Sequence, residues 1–484
     1  MTADGATFNA RVTGALADPQ LKQALSNVRT NFVAKRAAAK VALPEWGDLS
    51  NDAKAIKDHT LAHLDVYLEA YEAKATAMGA SVHWASTAAE ARDIILSICR
   101  EARAKTVTKG KSMVGEEIHL NQHLEANGIT PVETDLGEYI IQLRGEIPSH
   151  IIAPAVHLTK AQVEADFRKT HTHLPADRNL DEPYQLVAEA RAILRDSFLN
   201  ADVGITGANF LIAETGTSVI VTNEGNGDLT QVLPKTHIVI ASIEKVIPTL
   251  EDVSTILRLL ARSATGQDIS TYTTFSTGPK RVADPDGPEA YHVVLLDNGR
   301  SEMLGTELQP VLRCIRCGAC MNHCPVYQAI GGHAYGAVYA GPIGSVLTPA
   351  LDGVMQAKDL PNATPFCGRC EEVCPMQIPL PGMMRHFREQ QVAMAKAPAA
   401  QRIGLAVWQW LALRPGVYRL AMRANARILE MLGGRKGRLR WMPLGGGWTR
   451  HRDMPAPEGR TFHDLWAERQ RESKSGRQRA GGKL

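Results

Sequence analysis

The sequence predicts an α/β domain built on a parallel sheet, then a smaller, mainly helical cysteine domain, then a basic helical region. Three observations predict it. Between residues 79 and 300, short apolar runs alternate with helical segments, the pattern of βαβ units. Seven of the eight cysteines fall between Cys314 and Cys374. The charge then changes sign: the chain's net +3 contains +12 from Gln401 onward, which leaves −9 for the first 400 residues.

At 484 residues the chain should hold two or three domains. Its hydrophobic fraction of 44% is ordinary for a soluble protein. No apolar stretch approaches the roughly 18 residues that span a bilayer. Met1–Ala10 lacks the basic-then-apolar pattern of a secretory signal, so a cytoplasmic setting with reduced thiols is expected. The basic end suggests docking on something acidic: a partner protein, the chain's own acidic part, or anionic lipid. No nucleic-acid partner is expected.

Residues 1–78 read as a polar helical region, with apolar residues at helical spacing in Gln20–Ala39 and Ser50–Met78. No chemistry is visible there. Residues 79–300 form the α/β domain. Strands are expected at Ser81–Ala85, Thr106–Lys109, Pro131–Thr134 and His150–Ala153, with helices at Ala88–Ala104 and Glu116–Asn127. A helix over Pro183–Phe198 follows. Two apolar strands then flank Glu214-Thr-Gly-Thr217, a hairpin turn signal. Strands at His237–Ser242, Tyr272–Thr277 and His292–Leu295 continue the sheet to about residue 300, and Ser254–Ser263 is helical. Open sheets of this kind bind ligands at the carboxyl ends of their strands. The turn Lys109-Gly-Lys-Ser112 lies there, either as an anion site or as a solvated turn. No G-x-G-x-x-G or P-loop is present. His119 with His123, and His171 with His173, read as solvated side chains rather than metal ligands.

The cysteines carry the strongest signal. Cys314-Ile-Arg-Cys317-Gly-Ala-Cys320-Met-Asn-His-Cys324-Pro325 is the C-x2-C-x2-C-x3-C-P run of bacterial ferredoxins. Cys367-Gly-Arg-Cys370-Glu-Glu-Val-Cys374-Pro375 is the same run without its first cysteine, and Thr364 stands at that position. In two-cluster ferredoxins the last cysteine of each run serves the other cluster. Cys314, Cys317, Cys320 and Cys374 are therefore assigned to cluster 1, and Cys324, Cys367 and Cys370 to cluster 2. Two [4Fe-4S] clusters are expected, although three thiols also suit a [3Fe-4S] cluster 2. A non-cysteine fourth ligand is the other solution. Zinc sites pair two knuckles into four ligands and fit seven thiols poorly. Disulfides need an oxidising compartment and an even count. Cys99, in a helical pattern, reads as a small buried hydrophobe.

The glycine-rich loop 331–349 either brings backbone N–H groups to the cluster sulfurs or is simply a long crossover between the two halves. A ferredoxin-type domain of residues 301–395 ends in a helix over Pro381–Ala395. Residues 396–484 form the basic helical region. Its most apolar piece, Leu405–Leu413, is too short to span a bilayer and is expected to pack on the main body. Residues 470–484 are expected to be disordered.

These residues resemble the lactate utilisation protein B family, the iron–sulfur subunit of a three-part bacterial L-lactate oxidation system. The resemblance rests on Lys111-Ser-Met, Glu133-Thr-Asp-Leu-Gly-Glu-Tyr-Ile-Ile-Gln142, Pro148-Ser-His-Ile, Gly207-Ala-Asn, Glu214-Thr-Gly-Thr, the seven cysteines and Gly341-Pro-Ile-Gly. It implies an α/β domain similar to the NagB and formyltetrahydrofolate cyclo-ligase group, with a Rossmann-like sheet. It implies partners similar to lactate utilisation proteins A and C, and oxidation of lactate to pyruvate by the assembly. On this reading the chain relays electrons to an unidentified acceptor and is not itself the lactate-oxidising site. Peripheral contact of the tail with a membrane surface stays open. The rival readings are a scaffold with structural clusters, and a self-contained dehydrogenase of another small acid near Glu214–Ser218 or Lys109–Ser112.

Overall fold

The computed structural model describes residues 7–394, 399–442, 445–449 and 452–480. Two units are separable, residues 1–393 and 394–484. The first contains two sheets. Strands β1 (Ser81–Ala85), β2 (Thr106–Lys109), β3 (Thr130–Glu133), β4 (Val203–Gly207), β7 (Thr236–Ser242) and β10 (Ala290–Leu296) form a parallel sheet in the order β1-β10-β7-β4-β2-β3. Strands β5 (Phe210–Ile212), β6 (Thr217–Thr222), β8 (Val246–Ile247) and β9 (Tyr272–Ser276) form a second sheet, β8-β5-β6-β9. The single continuous sheet expected from the sequence is thus two. Strand runs as short as Val246–Ile247 carry no periodic signal of which sheet they join.

Alternation along the central strands explains the layering. Ile238 and Ile240 of β7 face one core with Val294 and Leu296 of β10, and the helix Ala88–Glu101 covers it through Ala91, Ile95 and Cys99. Val239, Ala241, Val293 and Leu295 face the opposite core, covered by the helix Leu64–Ala77. A side-chain period of two sends successive residues to opposite faces, so these strands are apolar throughout. Cys99 is fully buried, and burial pushes its thiol up to about 12.

Three sequence expectations are corrected in this unit. His150–Ala153 is not a strand. His150 Nδ1 instead accepts from the N–H groups of Ile152 and Ala153 at 3.0 and 3.1 Å, which curls the segment into a turn. The helix expected over Glu116–Asn127 is two short helices, Met113–Glu117 and Leu120–Ala126, broken at His119 with φ of 52°. His171 is not solvated: it is buried between Glu189, at 2.7 Å, and the Tyr139 hydroxyl, at 2.8 Å.

The N-terminal helices share a core with the cysteine domain. Leu25, Trp46, Leu49 and Ala53 pack in one cluster with Ile315, Met321, Val373 and Met376. In the second unit, no residue of the helix Ala399–Ala412 is buried, and Trp408 and Trp410 stay 60% and 51% exposed. A helix spans Phe462–Ala480 where disorder is expected from residue 470, because Arg, Lys, Gln and Glu are all good helix formers. The last four residues lie outside the described ones. No helix among the described residues is long and apolar enough to cross a membrane.

Candidate metal centre

The two cysteine runs fold alike. Arg316 and Gly318 flank Cys317 with φ of 58° and 70°, and Phe366 and Gly368 flank Cys367 with 54° and 76°. A one-turn helix follows each, Ala319–Asn322 and Arg369–Glu372. Glycine takes the left-handed region freely, whereas Arg316 and Phe366 are held there at a cost of about 1–3 kcal/mol. The strain recurs at matching positions of both runs, which marks it as part of the site.

Wound this way, Cys314, Cys317 and Cys320 line one small cavity, and Cys374 of the distant second run lines it with them. Ile151, Ile315, Ile343, Met376, Ile378 and Leu380 close the wall. Burial first, then the charge of Cys374, pushes the Cys317 thiol up to about 12. Burial and the thiols of Cys314 and Cys317 raise Cys320 well above its ordinary value. Burial takes Cys374 to about 11. Thiols gathered like this ionise only beside added positive charge, which iron provides. Their spacing argues against one zinc ion. No three of these sulfurs lie within 4.8 Å of one another, whereas a tetrahedral zinc site sets them about 3.8 Å apart. The donor set fits a larger, multi-iron core.

Cys324, Cys367 and Cys370 make the second group. Burial, then the nearby thiols of Cys324 and Cys367, pushes Cys370 up to about 12, and Cys324 is raised by burial with Cys367 in electrostatic reach. Cys367 is exposed. The buried Tyr335 hydroxyl lies against Cys324 and has no other polar partner.

N–H groups within and just after the runs reach sulfur. Arg316 N donates to Cys314 Sγ at 3.4 Å. The N–H groups of Ala319, of Val326 and Tyr327, and of Met376 and Ile378 favour the thiolates of Cys317, Cys324 and Cys374. The glycine loop is closely packed at Gly332, where a Cβ would fall 1.8 Å from the Ser149 carbonyl oxygen.

Sequence reasoning missed the shell around the first cavity. Arg36 Nη2 donates to the Val373 carbonyl at 2.6 Å, and Ser50 Oγ donates to that of Pro375 at 2.7 Å. Arg313 bridges Asp58, at 2.8 Å, and the Met376 carbonyl, at 3.2 Å. Behind Cys314 lies a buried charge network. Arg300 pairs with Glu117 at 2.6 Å and Glu244 at 3.0 Å. Tyr339 donates to Glu117 at 2.6 Å, and the Arg316 guanidinium sits 4.6 Å from the Tyr339 ring centre. Lys57 donates to the Glu244 carbonyl. Burial lowers Lys57 to about 7 and Lys245 to about 8, and both sense Cys314. Of these residues only Arg316, inside the first run, has a spacing that could have flagged it.

A second cavity of about 250 Å³ lies at the carboxyl ends of β2, β3, β4 and β7. Gly110, Lys111 and Ser112 line it, as do Lys245 and Asn209. Ile151 and Arg316 line both cavities, so the two adjoin. Lys109 is not part of an open anion site: it is fully buried between Glu133, at 2.7 Å, and Glu116, at 2.9 Å. The Glu214–Thr217 turn is structural, because a Cβ on Gly216 would fall 2.3 Å from Ala75 N. His123 lies 3.6 Å from Asp93, with no metal-ligand cluster around it among the described residues.

The LUD domain family model matches residues 68–296, a 4Fe-4S dicluster domain model matches 310–378, and the model for the C-terminal part of lactate utilisation protein B matches 383–471. Lactate utilization protein B of Geobacillus thermodenitrificans is 42% identical over 478 residues, covering 97% of this chain and 98% of its own. That of Bacillus pumilus is 40% identical over 469 residues, covering 96% and 98%. A crystal structure of a DUF162 family protein from Deinococcus radiodurans aligns with 48% of this chain and 98% of its own. At 17% identity and a TM-score of 0.26 it carries no argument. With near-complete coverage at this identity, and three family models matching in order along its length, the chain belongs to the lactate utilisation protein B family.

Proposed function

We propose that this protein is the electron-carrying iron–sulfur subunit of a multi-subunit system that oxidises L-lactate to pyruvate. Cys314, Cys317, Cys320 and Cys374 would hold one cluster, and Cys324, Cys367 and Cys370 a second. The observation that carries the reading is the convergence of thiols from two runs on one apolar cavity. An iron–sulfur cluster supplies one-electron exchange, over a range of about −700 to +450 mV set by its surroundings. This chain's residues supply those surroundings. Ile315, Ile343 and Ile378 exclude water. Backbone N–H groups and the cations Arg316 and Lys245 favour negative charge at the sulfurs. The partners would be subunits similar to lactate utilisation proteins A and C, plus an electron acceptor, in the cytoplasm. The domains are read as 1–78, 79–300, 301–395 and 396–484, with the second of the NagB and formyltetrahydrofolate cyclo-ligase type.

The test is anaerobic purification with a redox titration followed by electron paramagnetic resonance. Reducible iron signals with little lactate turnover by the isolated chain are expected. Clusters silent across the accessible range would favour a scaffold, and strong lactate turnover by the chain alone would overturn the relay.

One observation favours a second role. The 250 Å³ cavity adjoins the first thiol group, and Arg316 Nη1 and Thr222 Oγ1, on residues that line it, are buried without hydrogen-bond partners. Such groups suit a compact organic acid. Calorimetry with L-lactate and pyruvate tests this, and absence of heat at millimolar ligand removes it.

A further inference from the structure

The repeat of one local fold says what stands where the eighth thiol would be. Superposing the sequence Cys317-Gly-Ala-Cys320 on Cys367-Gly-Arg-Cys370 sets Thr364 opposite Cys314. The backbone repeats with it: Arg316 and Phe366 both have positive φ, as do Gly318 and Gly368. The side chains repeat too. Cys314 Sγ accepts from Arg316 N at 3.4 Å, and Thr364 Oγ1 accepts from Phe366 N at 3.0 Å. Both bonds run from residue i+2 back to residue i. The threonine oxygen therefore holds, within its run, the place that the Cys314 sulfur holds in the other.

The remaining ligands repeat by exchange. Cys374, the last thiol of the second run, lines the cavity of Cys314, Cys317 and Cys320. Cys324, the last thiol of the first run, lies within electrostatic reach of Cys367, and Cys370 within reach of both. Three corners of the second group are thus thiols, and the repeat directs Thr364 to the fourth.

We infer that Thr364 Oγ1 is the fourth protein ligand of the second cluster, which is then a four-iron cluster bound by three sulfurs and one oxygen. The inference rests on the electron-carrier reading for the presence of clusters. A hydroxyl oxygen has two lone pairs. The Phe366 N–H engages one, and the other can bind iron. When the bound hydroxyl ionises, its proton leaves to solvent, which half-buried Thr364 can reach, and no electron changes hands. A three-iron cluster would instead have no iron at this corner. An ordinary threonine turn makes the same local bond, but nothing in such a turn requires register with a cysteine ligand.

The test uses the full chain, purified anaerobically as wild type and as Thr364→Val, Thr364→Ser and Thr364→Cys. Iron and sulfide are counted, and Mössbauer and paramagnetic resonance spectra are recorded. The wild type should hold about eight irons per chain. Thr364→Val, which keeps the shape and removes the oxygen, should fall to about seven and show a three-iron signal. Thr364→Ser should restore the wild-type spectrum. Thr364→Cys should keep about eight irons and shift the second cluster's potential. About seven irons in the wild type, or Thr364→Val spectra identical to wild type, would overturn the assignment. Should Thr364→Val not fold, identical spectra for Thr364→Cys and wild type would overturn it equally. Iron lacking from every form would remove the carrier reading as well, whereas iron indifferent to residue 364 removes this inference alone.

Discussion

The group of Cys314, Cys317, Cys320 and Cys374 is walled by aliphatic side chains, whereas the group of Cys324, Cys367 and Cys370 includes an exposed thiol at Cys367. The two runs that build them share their left-handed residues and their one-turn helices. Local geometry is therefore common, and the difference is imposed from outside. The first group is backed by the N-terminal helices, through Arg36 and Ser50, and by the charge network of Glu117, Glu244 and Arg300. Among the described residues Cys367 is exposed, with no comparable cover. One repeated loop can thus yield two sites of different solvent access, and solvent access is one determinant of cluster potential.

The comparison can be broken or sharpened by experiment. The largest effect is expected from Cys317→Ser, which should remove about half of the iron, while Cys367→Ser should leave the signal of the first group in place. Iron analysis with paramagnetic resonance reads both, and loss of the first group's signal in Cys367→Ser would mean the groups are not separate. Next is Glu244→Gln, which leaves Arg300 without one of its two buried carboxylate partners. A loss of about 3–5 kcal/mol in chemical denaturation is expected for breaking a buried charge pair. Air exposure should then erase the signal of the second group before that of the first, because Cys367 is reachable by solvent. The reverse order would deny that burial distinguishes them.

The smallest effect concerns the segment that follows the helix Leu136–Arg144, inside the α/β domain. Burial pushes Glu146 upward, but His157, at 2.8 Å, and Arg144, also at 2.8 Å, outweigh it and hold Glu146 at about 2. A carboxylate depressed below its unfolded value stabilises the fold at pH above about 4.5 and loses that contribution as pH falls toward 2. Wild type should exceed Glu146→Gln by about 2 kcal/mol at pH 6, and the gap should narrow below pH of about 4.5 and close only near pH 2. A gap independent of pH would show that packing, not charge, is what the side chain contributes.

Several features were legible early because they depend on neighbours in sequence. Strands β1 and β2 occur where alternation places them, and the hairpin of β5 and β6 turns at Glu214–Gly216 as its residues suggest. Other features were not. Lys109, in a glycine turn, looks solvated until Glu116 and Glu133 close on it from a following helix and a neighbouring strand. The N-terminal helices show no chemistry in their pattern because Arg36 and Ser50 act on backbone carbonyls more than 320 residues away.

By itself the sequence determined the thiol spacing, the repeat and the residue that breaks it, since each is a matter of positions a few residues apart. Only the tertiary structure decided which side chains wall the shared cavity, which thiol meets solvent, and which cations stand behind Cys314. The physical reason is that burial and Coulomb interactions depend on distance in space, and helices from the chain's first sixty residues supply much of both.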